Sequence, residues 1–215
     1  MQKFILFLKM IFVYPVIFFT SLHAIRADYD LKLTLFKLWS RFLVKQASAK
    51  VECTHTDLIP LETGYVFVLT HTNPLDLCVF IEHLPVNTHF VLDGSETIPY
   101  LKGWLKRLKT LRMIPNDETF ETIQSDFLTQ MDESSVTVFF KSLQHRELSD
   151  AFYSLALKEH LTLIPVIIQN SDKLLKKGKH HRVTVDIQVP LYHEEYSDLN
   201  ETELRQELER RLKVI

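Results

Sequence analysis

The sequence predicts an α/β fold, a single domain built on a mostly buried mixed sheet flanked by helices. Three observations lead there. Beyond residue 46, strand-like runs (50–53, 65–70, 89–92, 136–140, 161–168 and 182–189) alternate with helix-like segments (74–83, 98–112, 119–131, 149–159 and 199–213). Several of the runs are continuously apolar rather than alternating, as in Tyr65-Val66-Phe67-Val68-Leu69. A strand with no polar side must be covered on both faces, which calls for helices above and below the sheet. Finally, 215 residues without a repeat, low-complexity tract or Pro/Gly-rich linker suffice for one substantial core.

The N-terminal elements have a different character. Residues 4–22 are largely apolar, interrupted by Lys9 and Pro15, and predict a membrane anchor that either spans the bilayer or lies in its interface. A signal peptide cut near Ser21-Leu22-His23-Ala24 and a buried core helix are the other readings. Residues 28–45 read as an amphipathic helix, with Leu33, Phe36, Leu38 and Leu43 among Lys32, Lys37, Arg41 and Lys45. Such a helix can pack on the domain or rest on a bilayer. The expected division is therefore 1–46, hydrophobic anchor and amphipathic helix, and 47–215, the α/β domain.

Composition removes several function classes. The four glycines, Gly64, Gly94, Gly103 and Gly178, leave no glycine-rich phosphate cradle and exclude P-loop and dinucleotide-binding readings. Cys53 and Cys78 are too few and too far apart for a zinc knuckle or a redox pair, and Cys78 reads as a small buried hydrophobe. The ten histidines are scattered, so no metal is expected; no nucleic-acid partner is expected either. Two basic segments stand out. The helix-like 98–112 carries Lys102, Lys106, Arg107, Lys109 and Arg112 opposite an apolar side. The loop-like 173–182 carries Lys173, Lys176, Lys177, Lys179 and Arg182. Both suit a solvated face; the first also suits anionic head groups or a phosphate-bearing substrate, and the second a binding role.

The candidate chemistry lies in His71-Thr72-Asn73-Pro74-Leu75-Asp76. Asn73 reads as a helix N-cap and Pro74 as the first helical residue, where its missing N–H costs nothing. Asp76 then falls in the first turn, where its carboxylate can accept from one imidazole nitrogen and leave the other as a general base. Spacing by itself is weak. Ten His and twelve Asp predict about 0.6 His-x4-Asp pairs by chance, yet the chain has five: His23/Asp28, His71/Asp76, His145/Asp150, His181/Asp186 and His193/Asp198. Only His71 follows a core-like strand and precedes a capped helix start.

The order of features resembles the 1-acyl-sn-glycerol-3-phosphate acyltransferase family of glycerolipid acyltransferases, over nearly the whole chain. The approach Leu38-Trp39-Ser40-Arg41-Phe42-Leu43 and Lys50-Val51-Glu52 is similar to the family's entry to its catalytic domain. Gly64 through Asp76 resembles its first block, N-H-x4-D, with Thr70 in place of the usual residue. Phe90-Val91-Leu92 followed by Ile98-Pro99-Tyr100-Leu101-Lys102-Gly103-Trp104 resembles its second, and Leu163-Ile164-Pro165-Val166-Ile167-Ile168 its late strand. Two places depart. The second block usually ends in a strand carrying an arginine, and Met113-Ile114-Pro115-Asn116-Asp117 has none. The third block is usually F-P-E-G-T-R, where this chain has Phe139-Phe140-Lys141-Ser142-Leu143-Gln144.

The resemblance implies acyl transfer from a thioester, acyl-CoA or acyl-carrier protein, to a hydroxyl of a lysophospholipid or related lysolipid. On that reading His71 is the general base and Asp76 orients its ring. Asn73, Lys102, Lys141, His145 and Arg146 are the further substrate-binding candidates. No protein nucleophile, metal or cofactor is required beyond the acyl donor. The expected setting is a membrane, at its cytoplasmic face, with membrane lipid as partner. The other readings are an inactive acyltransferase-fold protein that binds lipid or membrane, and a hydrolase using His145/Asp150, for which no Gly-x-Ser-x-Gly elbow exists.

Overall fold

The computed structural model describes residues 28–47, 49–61, 64–70, 75–83, 88–93, 108, 111–113, 127–129, 135–140, 146–171, 174 and 181–212. Its framework is a seven-stranded sheet of β1 (Ala49–Thr54), β2 (Tyr65–Thr70), β3 (Thr88–Asp93), β4 (Leu111–Met113), β5 (Ser135–Phe140), β6 (Thr162–Gln169) and β7 (His181–Ile187). The order is β1-β7-β6-β2-β5-β3-β4. Neighbours run parallel except β6 and β7, so the sheet is mixed, as the sequence predicts.

Helices cover both faces of its centre. Tyr65, Phe67 and Leu69 of β2 join a core formed with α1 (Tyr29–Gln46) and α2 (Asp76–His83). Val66 and Val68 join the opposite core, with α3 (Arg146–Lys158) and α5 (Glu201–Leu212). A four-residue α4 (His193–Tyr196) precedes α5. This two-sided burial is why the 65–69 run is continuously apolar.

The amphipathic helix α1 is built into the domain. Asp28 caps it by accepting from the Leu31 N–H at 2.8 Å. Leu33, Phe36, Leu43 and Val44 are buried against the sheet, and the Tyr29 hydroxyl donates to the Thr88 carbonyl at 2.7 Å. Its outer side still shows apolar surface, with Leu31 50% and Leu38 54% exposed. No helix among the described residues is long and apolar enough to cross a membrane; residues 4–22 lie outside them.

Pro165 sits inside a strand at no cost to the ladder. Its carbonyl accepts from Gln188 at 2.9 Å, so its nitrogen faces the same side, toward β7. The pairing Val166↔Ile187 gives way there to Leu163↔Leu191, leaving one extra residue on the second chain. A proline fits such a bulge, because no ladder bond needs its N–H.

One predicted element is corrected. The helical pattern over 98–112 runs into β4, which takes up Leu111 and Arg112 as strand. A three-residue edge strand is too short to show a two-residue period against a basic amphipathic helical one. The rest of that segment, apart from Leu108, lies outside the described residues, and of 119–131 only 127–129 are described, as helix.

Candidate active site at the carboxyl edge of the sheet

Four parallel strands stop on one row. Thr70 pairs with Phe140, Leu92 pairs with Phe139, and Asp93 pairs with Met113, so β2, β5, β3 and β4 end side by side. In open α/β sheets, ligands bind in the crevice outside these carboxyl ends. The sequence candidates follow directly. Thr70 is the residue before His71, Phe140 the residue before Lys141, and His145 the residue before Arg146, which opens α3. The topology therefore brings the first and third sequence blocks out of the sheet on neighbouring strands.

Asp76 is the first residue of α2, and the residue is only 1% exposed. The first turn is closed by the Val79 N–H donating to the Leu75 carbonyl at 2.9 Å. The helix is apolar nearly all round, and Asp76 through Ile81 are all buried. On its α1 side, Arg41 pairs with Glu82 at 3.4 Å, and Ser40 stands against Cys78. Burial is the main reason the Cys78 thiol is pushed up to about 12, and at that value it stays protonated and is no nucleophile. Burying an acid costs free energy that hydrogen bonds or opposite charge must offset, and such acids are concentrated at functional sites. His71, Asn73, Lys102, Lys141 and His145 lie outside the described residues.

The other His-x4-Asp pairs have different surroundings. His193 opens α4 with its ring stacked on His160, centroids 3.9 Å apart. His181 and Asp186 both lie on β7, and the histidine that Asp186 meets is His55, whose Nδ1 is 2.7 Å from Oδ1. Thr54 donates to the same oxygen at 2.7 Å and Gln188 to the other at 2.8 Å. Partial burial pushes the Asp186 carboxyl up, but hydrogen bonds from Thr54, His55 and Gln188 outweigh it and hold the group below the usual carboxylate range. His55 has φ 57°, a left-handed backbone uncommon for a side-chain-bearing residue. No local pattern announces this pair, because its members are 131 residues apart.

No family model matches the chain, and no curated protein matches it. Among solved structures, the 1-acyl-sn-glycerophosphate (LPA) acyltransferase PlsC from Thermotoga maritima superposes with a TM-score of 0.70 at 18% identity, over 99% of this chain and 95% of that one. The chain shares the fold of a glycerophosphate acyltransferase.

Within that acyltransferase fold, Arg112 needs a new place. The sequence reading put it on the polar side of a helix and found no arginine in the strand that closes the second block. The register Leu92↔Arg112 puts it in β4, one residue before the end of the row. Its signal in the sequence was the short Leu111-Arg112-Met113 alternation, hidden by the longer helical period before it. Among the described residues no cluster of three or more His, Cys, Asp or Glu could hold a metal.

Proposed function

We propose that the protein is a membrane-associated O-acyltransferase that moves a fatty acyl group from a thioester, acyl-CoA or acyl-carrier protein, to a hydroxyl of a lysophospholipid. The observation that carries this reading is the buried Asp76 carboxylate. It stands at the head of α2, just past the strand end that delivers His71, in a fold shared with a lysophosphatidate acyltransferase.

In this mechanism His71 takes the proton of the acceptor hydroxyl as its oxygen attacks the thioester carbonyl carbon. Asp76 accepts from the other ring nitrogen and stabilises the imidazolium as it forms. The tetrahedral intermediate collapses, the carbon–sulfur bond breaks, and the thiolate takes the proton back from His71. An ester and a free thiol leave. Neither step needs a protein nucleophile, consistent with the protonated Cys78. Arg112, together with Arg146 and the nearby Lys141 and His145, supplies cations for an acceptor phosphate in place of the arginine replaced by Gln144; Lys102 and Asn73 are further candidates. The N-terminal segment 4–22 and the outer Leu31 and Leu38 of α1 hold the enzyme at the cytoplasmic face of a bilayer.

Thiol release from acyl-CoA with a panel of lysolipids tests this reading. His71→Ala should lower transfer at least about a hundredfold, and Asp76→Asn nearly as far. Unchanged transfer in His71→Ala, or none from the wild type with any acceptor, would overturn it. Leu31→Glu with Leu38→Glu should weaken cosedimentation with lipid vesicles while sparing turnover of detergent-dispersed substrate.

A further inference from the structure

We propose that Lys50 and Arg182, on the open polar face of the β1–β7 ladder, hold the phosphates at the nucleotide end of a coenzyme A thioester. This rests on the acyl-transfer reading and adds the subsite for the donor.

The register places the ladder beside the site. Leu69 of β2 is level with Val166 of β6, and Val166 is level with Ile187, the last residue of β7. Because β7 runs opposite to β6, its earlier residues climb past the end of β2. His181 lies six residues before Ile187, and so five rungs beyond Thr70. β1 keeps step, with Ala49 opposite His181 and Lys50 opposite Arg182. The two strands form a wall that rises above the row where β2, β5, β3 and β4 stop.

The faces of this wall differ. Val51, Cys53, Val183 and Val185 pack into the core with α1 and α2. The alternate residues, Lys50, Glu52, Arg182 and Thr184, point the other way, and there Lys50 and Arg182 have side chains 73% and 68% exposed. Glu52 holds both cations through one oxygen, Arg182 at 2.7 Å and Lys50 at 3.5 Å. At the upper end of the face one carboxylate meets two cations, with Asp186 four residues further down β7, and most of the guanidinium and ammonium donors stay unused. An anion that bridges the two heads meets them already gathered, which lowers the ordering cost of binding.

The span also fits. Arg182 is four rungs past Thr70 and two strands across, which is about 13 Å along and about 10 Å sideways, so about 16 Å in all. That is comparable to an extended pantetheine arm between its thioester and its pyrophosphate. The face is on the α3–α5 side of the sheet, so a pantetheine arm whose thioester sits at the carboxyl edge passes over the row of strand ends to lay its nucleotide against it.

The full-length protein tests the proposal with two donors of equal acyl chain, acyl-CoA and acyl-pantetheine, and with calorimetric binding of 3′-phospho-ADP. Lys50→Glu with Arg182→Glu should raise KM for acyl-CoA about tenfold and weaken 3′-phospho-ADP to a similar degree. KM for acyl-pantetheine and kcat should hold. Arg182→Gln should give a smaller change of the same kind, and added salt should mimic it. An unchanged KM for acyl-CoA, or equal rises for both donors, overturns the subsite and leaves acyl transfer intact. Loss of binding to anionic vesicles with 3′-phospho-ADP binding unaltered also overturns it, as the face then contacts membrane. If the wild type transfers nothing yet binds 3′-phospho-ADP through these cations, the subsite stands and the catalytic reading falls.

Discussion

The central strand β2 and the outer strand β7 answer the same physical demand in opposite ways. Every residue of β2 from Tyr65 to Leu69 is buried, whereas β7 buries Val183, Val185 and Ile187 and leaves Arg182, Thr184 and Asp186 wholly or partly in solvent. The cause is helix coverage. β2 lies between α1–α2 and α3–α5, but among the described residues β7 and β1 are packed by helices on one face only. β2, β5, β3 and β4 stop together and make the floor of the candidate site. The half-covered pair continues past them as a wall with charged groups on its free face. The proposed chemistry and the proposed donor binding thus fall on parts of the sheet with different tolerance for change.

The comparison can be broken by mutation. Phe67→Ala in the covered strand should cost about 3–5 kcal/mol, read as a lower denaturant midpoint, because a fully buried aromatic ring leaves a cavity. A much smaller loss would mean that one face of β2 is less tightly covered than its burial implies. A milder test uses acid. Asp186 lies below the usual carboxylate range in the folded protein, so its contribution is present above that range and fades as pH falls through the folded value. Glu207 on α5 behaves alike. Hydrogen bonding from Arg210 is the largest cause, aided by Arg211 and opposed by partial burial, and the carboxyl is held at about 2 against an ordinary 4.5. The thermal midpoint should fall as pH drops from about 4.5 toward 2. Asp186→Asn and Glu207→Gln should each flatten part of that slope. The smallest effect belongs to the free face of β7, where Thr184→Val should stay within about 0.5 kcal/mol of wild type.

Much of this contrast was legible before the structure. The run 65–70 is β2 to the residue, because a continuous apolar stretch bounded by Gly64 and a polar segment leaves little freedom in register. Arg182-Val183-Thr184-Val185-Asp186-Ile187 alternates strictly, which is the signature of a half-covered strand. The 98–112 segment misled because its helical period carried through Arg112, which the sheet then claimed for β4. The His55–Asp186 pair was beyond any local pattern, since only the parallel register of β1 on β7 brings Thr54 opposite Asp186.

By itself, then, the sequence determined which segments are strands buried on two faces, that His71 and Asp76 bracket a strand-to-helix junction, and that no glycine cradle exists. These follow from period and local chemistry, which act over a few residues. The tertiary structure decided that β2, β5, β3 and β4 end on one row, that Arg112 belongs to that row, and that β1 and β7 overshoot it. It also decided that α1 packs against the sheet while keeping Leu31 and Leu38 outward. Those outcomes depend on strand order and register, which arise from contacts between residues scores of positions apart.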